Sequence, residues 1–112
     1  MRRILFIVLL LTSSSGASIK DSKEAAVHVV TIDGMNFVPK SLEINMGETV
    51  RWVNETDMMH NVIANDKSFR SEMLTRRKDI FEYTFKKEGE FRYYCQPHRM
   101  MGMKGTVIVK NK

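Results

Sequence analysis

The chain has a single cysteine, Cys95, among its 112 residues. An internal disulfide is therefore excluded, and a lone thiol in an exported protein needs protection by burial or by a metal. Proline is nearly as scarce, at Pro39 and Pro97 only. Long apolar runs are missing too. Ile4–Leu11 is a run of eight, where a membrane-spanning helix needs about 20 residues. No stretch shows a helical period, an internal repeat or low complexity. The formal charge is +5, too weak to argue for nucleic acid. No general acid–base pair stands out, so an enzyme is not expected. What remains, with 28% charged and 43% hydrophobic residues, has the balance of one soluble globular domain.

The N-terminus has a separate character. Arg2 and Arg3 precede the apolar run, and Thr12–Ala17 is small and polar. Residues 1–17 thus read as a secretory signal peptide, cleaved after Ala17, and the absence of a cysteine after the run excludes a lipoprotein signal. Export to the periplasm or beyond is expected, with no stable membrane insertion after cleavage. Loss of Arg2 and Arg3 leaves a charge of about +3, a modest preference for an acidic protein partner. Residues 18–26 read as a flexible leader, and residues 27–112 as the folded domain.

From Val27 onward the pattern is one of strands and turns. VHVVTID (27–33) is rich in β-branched residues and stops at Gly34. SLEINM (41–46) alternates cleanly, Gly47-Glu48 supplies a turn, and TVRWVN (49–54) follows, so these two are expected to form a hairpin. HNVIAND (60–66) is a weaker strand. Residues 67–79 lack a period and read as a long connection containing one helical turn. IFEYTF (80–85) sets Phe81, Tyr83 and Phe85 on one face, EFRYYC (90–95) does the same with Phe91, Tyr93 and Cys95, and GTVIVK (105–110) closes the domain. Seven to eight short strands with turns every 8–12 residues or so predict an all-β Greek-key sandwich. Phe37, Trp52, Phe81, Phe85 and Phe91 are assigned to its core.

The chemistry is concentrated in YYCQPHRMMGMKG, residues 93–105. Within nine residues it offers a thiolate (Cys95), an imidazole (His98) and a thioether (Met103), with Pro97 stiffening the loop and Gly102 and Gly105 letting it turn. His60 lies upstream at the head of a strand. Taken alone, Cys95 reads as a buried core thiol, and His28, among valines, as structural or exposed. Together, two imidazoles, a thiolate and a weak thioether describe a blue-copper electron-transfer site. Soft sulfur favours Cu(I), imidazole suits both oxidation states, and a geometry that neither state dictates need not rearrange on electron gain.

His60-Asn61, the loop Cys95-Gln-Pro-His98-Arg-Met-Met-Gly-Met103, and MNFVPKSLEINMGETVRWVN (35–54) resemble the cupredoxin family, in its plastocyanin, pseudoazurin and amicyanin branch. The resemblance covers residues 27 to 110. It implies one type 1 copper ion, with His60, Cys95 and His98 as in-plane ligands and Met103 as the long axial ligand. Met101 is the alternative axial residue and Met100 a third, but the Met-Gly-Met-x-Gly spacing is similar to that of the longer-loop members. Asn61 would bridge the two ligand loops, its amide facing the sulfur, and His98 would be the surface port. The implied function is a monomeric one-electron carrier between redox proteins, such as a cytochrome or a copper-containing reductase or oxidase. Met58, Met59, Arg99, Met100 and Met101 would form the docking face. The alternative is a copper carrier or chaperone that handles Cu(I) through its methionines.

Overall fold

The computed structural model describes residues 25–111. The signal-peptide reading of residues 1–17 and most of the expected leader lie outside the described residues. Eight strands run in the order β1 (Val27–Asp33), β2 (Asn36–Val38), β3 (Ser41–Asn45), β4 (Thr49–Asn54), β5 (Ile63–Ala64), β6 (Ile80–Thr84), β7 (Gly89–Tyr94) and β8 (Lys104–Lys110). They form two four-stranded sheets, β2-β1-β4-β6 and β3-β8-β7-β5. Each sheet is mixed. β1 pairs parallel with β4 and β3 parallel with β8, whereas the remaining pairs are antiparallel. Among the described residues no helix is long and apolar enough to cross a membrane.

The period-two pattern explains the layers. In β1, Val30 and Ile32 are buried while Val27 and Val29 face solvent. In β4 the inward residues are Val50, Trp52 and Asn54. Ile44 of β3, Tyr93 of β7 and Val107 and Val109 of β8 meet them from the other sheet. Trp52 is the hub. Its ring lies 5.3 Å from Tyr93, edge to face, 5.5 Å from Phe81 and 5.7 Å from Phe69. Burying one such side chain contributes roughly 1.5–3 kcal/mol. Phe37 and Phe85 are fully in the core, and Phe81 and Phe91 pack on its margin.

Four local expectations are corrected. β3 and β4 do not form a hairpin: they belong to different sheets. Gly47, at φ 90°, turns the chain across the sandwich. The Met46 amide bonds Lys110 at the end of β8 in one sheet, while the Gly47 amide bonds Phe85 just past the end of β6 in the other. Alternation was the same under either arrangement, because Ile44 and Trp52 reach one core from opposite sides. Residues 67–79 contain no helical turn. They instead form bridges, Ile63 with Arg70 and His60 with Leu74, and bury Phe69 and Leu74. The 60–66 strand shrinks to Ile63–Ala64. Gly105 does not turn the loop. It sits inside β8, where a Cβ would overlap the hydroxyl and ring of Tyr93.

Candidate metal centre

Two loops at one end of the sandwich bring the donors together. The first leaves β4 and carries His60. Its backbone is clamped to the long connection by a reciprocal pair, His60 N–H to Leu74 O at 3.1 Å and Leu74 N–H to His60 O at 2.7 Å. The second joins β7 to β8. Cys95 N–H donates to Met103 O at 3.0 Å, closing the base of the loop. A 3-10 turn at Arg99–Met101 follows His98 and ends at Gly102, in the left-handed region at φ 79°. Asn61 ties the loops to one another, its Oδ1 accepting the Gln96 amide at 2.8 Å.

Cys95 Sγ lies 3.7 Å from His60 Nδ1 and 3.4 Å from His98 Nδ1. The imidazole centroids are 4.9 Å apart, and one donor atom from each of the three residues falls within 4.8 Å of the others. Nitrogen and sulfur ligands about 2.0 and 2.3 Å from one ion, at 120° to each other, are about 3.7 Å apart. The three donors are therefore spaced as ligands of a shared ion. Among the described residues no carboxylate joins them in the cluster, and soft sulfur with imidazole suits copper better than a hard cation.

Burial sorts the methionines. Met103 is 1% exposed and packs in the core cluster with Cys95, whereas Met101 is 69% exposed and Met100 fully so. Met58 and Met59, just before His60, are exposed as well. His60 is wholly buried and His98 half-buried. Desolvation by burial, helped by the nearby His98, lowers the His60 pKa to about 4. This keeps the ring neutral and its lone pair available at physiological pH. Burial pushes the Cys95 thiol up, while the backbone amides of Asn61 and His98 work against that rise by bonding the sulfur. A bound cation would supply the missing drive to the thiolate.

Residues 24–110 match the family described as copper binding proteins, plastocyanin/azurin family. The chain belongs to this copper-binding family. It is 38% identical to amicyanin of Paracoccus versutus over 88% of this chain and 76% of that protein. Identity to the chloroplastic plastocyanin of Physcomitrium patens is 32%, over 90% and 67%. Among solved structures, a purple cupredoxin from Nitrosopumilus maritimus superposes with a TM-score of 0.68 at 30% identity, covering 74% of this chain and 99% of that one. A Cu(I) form of an amicyanin variant gives 0.67 at 28% identity, covering 80% and 87%. These likenesses bear out the cupredoxin family, the all-β sandwich and copper as the cofactor.

Two polar residues beneath the cupredoxin centre, Asn54 and Thr56, escaped sequence reasoning. Both are buried. One signal was present: Asn54 follows Val50 and Trp52 on the inward face of β4, where an amide must find partners. The surface beside the metal loop is polar. A cavity of about 490 Å³ is lined by Lys40, Arg92, Arg99 and Lys104, with Glu90 as its one acid. The Arg99 guanidinium rests 4.1 Å over the Tyr94 ring.

Proposed function

We propose that this protein is an exported one-electron carrier whose copper is held by His60, Cys95 and His98, with Met103 as the axial ligand. The observation that carries the reading is the Cys95 sulfur set between two imidazole nitrogens at 3.4 and 3.7 Å, with a buried methionine in the same loop. Copper bound there would supply a Cu(II)/Cu(I) couple. The chain supplies the rest. Leu74 anchors the His60 loop and Asn61 ties it to the Cys95 loop, so little has to move on electron gain. Met103 fills the inner side of the site with an apolar thioether. Of the four proposed ligands, His98 alone is not fully buried.

The docking face proposed for redox partners is the rim around His98, formed by Met58, Met59, Met100 and Met101. Flexible thioethers suit adaptable contacts. Arg99 and the basic groove beside it favour a partner with an acidic surface. Export is supported by the basic, apolar and small-residue segments of residues 1–17. A second reading, Cu(I) delivery, is favoured by the same four exposed methionines.

The deciding experiment is the visible and EPR spectrum of residues 18–112 with one equivalent of Cu(II), beside Cys95→Ser. An intense thiolate-to-copper band with narrow hyperfine splitting, absent in the variant, supports the carrier. A pale spectrum indifferent to the substitution refutes Cys95 as a ligand. Transfer of Cu(I) to a chelator separates the two readings: slow release with reversible redox cycling fits electron transfer, and rapid release fits delivery.

A further inference from the structure

The face of His60 turned away from Cys95 is built as carefully as the face turned toward it. His60 Nε2 lies 3.0 Å from Thr56 Oγ1, and both residues are buried. Which atom donates follows from the neighbours. Asn54 Nδ2 reaches two backbone carbonyls, Met58 O at 3.0 Å and Leu74 O at 3.2 Å. Carbonyls only accept, so the amide nitrogen must face them and Oδ1 must face the other way. There Oδ1 accepts the Thr56 backbone N–H at 2.9 Å and lies 2.7 Å from Thr56 Oγ1. An amide oxygen has no proton to give, so the short contact requires the Thr56 hydroxyl to donate. Thr56 Oγ1 also accepts the Met58 N–H at 3.0 Å. Its single proton goes to Asn54 Oδ1, with the Met58 carbonyl a longer second acceptor at 3.3 Å, so the hydroxyl offers His60 only a lone pair.

We infer that Asn54 and Thr56 are positioning residues that fix His60 in the tautomer protonated at Nε2, leaving the Nδ1 lone pair bare toward Cys95. This rests on the reading of His60 as a copper ligand. The relay starts in β4 and ends at the ring, so the tautomer is set by the sandwich before any ion arrives. Leu74 O, which accepts both Asn54 Nδ2 and the His60 amide, locks the relay to the same bridge that fixes the backbone. Groups that orient a ligand's other ring nitrogen are typically worth about tenfold or more in metal affinity.

The test is nitrogen NMR of the imidazoles in the metal-free protein and after adding Cu(I), with a chelator competition for affinity, in wild type, Thr56→Ser and Thr56→Val. In the wild type and in Thr56→Ser, which keeps the hydroxyl, His60 should show a slowly exchanging proton on Nε2. In the isosteric Thr56→Val that protection should vanish and Cu(I) affinity should fall by about tenfold. A wild-type proton on Nδ1, or a valine variant that keeps both the protected proton and full affinity, overturns the inference. The proton position in wild type and Thr56→Ser decides the matter even if the valine variant does not fold. Failure of the ligand reading looks different: the Nε2 proton is present, but Nδ1 does not shift on adding Cu(I).

Discussion

The two histidine loops do opposite things with the same side chain. His60 has no exposed surface, its backbone is bridged to Leu74 and its outer nitrogen rests on Thr56. Even the outside of its loop is strapped down, by Lys78 on Glu55 and Arg77 on Asp57. His98 is half-buried and sits on a short loop closed by its own backbone bonds, with fully exposed Met100 two residues on. One imidazole is held by the whole sandwich, whereas the other is presented by a local turn. A carrier of the kind proposed, which holds copper and meets a partner, needs both arrangements. Structural demand falls on the first loop and exposure on the second.

The largest expected effect is all or none. In His98→Gly, added imidazole should enter the vacated surface position and restore the visible copper band. In His60→Gly, the buried position should not be rescued. Equal rescue in both, read by titration of the absorbance, would break the contrast between the loops.

Next comes the contrast between methionines. Met103→Ala should lower the stability of the metal-free protein by about 2–5 kcal/mol, the range for emptying a packed site. Met100→Ala should change it by less than about 0.5 kcal/mol. Urea unfolding curves measure both, and similar shifts would mean that burial does not distinguish the two thioethers.

Burial of His60 also predicts a pH dependence. Its pKa falls from the ordinary 6.5 to about 4 in the fold. The unfolded chain therefore takes up a proton near pH 6.5 and the folded chain only near pH 4. Stability of the metal-free protein should drop as pH falls through that window, by up to about 3 kcal/mol, and level off below it. His60→Gln should flatten this part of the profile.

The smallest effect concerns the strap. Glu55→Gln, which weakens the surface pair with Lys78, should cost less than about 1 kcal/mol. Thermal unfolding with and without high salt checks this. A larger loss would show that the His60 loop depends on its surface ion pairs as well as on its buried relay.

Most strands were legible because alternation survives in them: Phe91, Tyr93 and Cys95 lie on one face in the sequence and in the sandwich, whereas β5, buried at both Ile63 and Ala64, has none. Their partners were not, since Ser41–Asn45 and Thr49–Asn54 have the same period whether they pair with each other or with β8 and β1. The long connection was misread because Phe69 and Leu74 are pinned by tertiary bridges, which leave no periodic trace. Asn54 and Thr56 belong to no spaced motif: the inward phase of β4 hints at Asn54, and only burial marks out Thr56.

The donor types and their order along the chain are set by the amino-acid sequence alone. So are the β period and the choice of copper over hard cations, because these are properties of side chains and of local spacing. Tertiary structure alone decided the rest. It brought His60 to Cys95 across 35 residues, buried Met103 while leaving Met101 in water, and turned the His60 ring by a relay rooted in β4. Each of these depends on which surfaces exclude water and which polar groups are left to pair, and those are settled only when the two sheets close on one another.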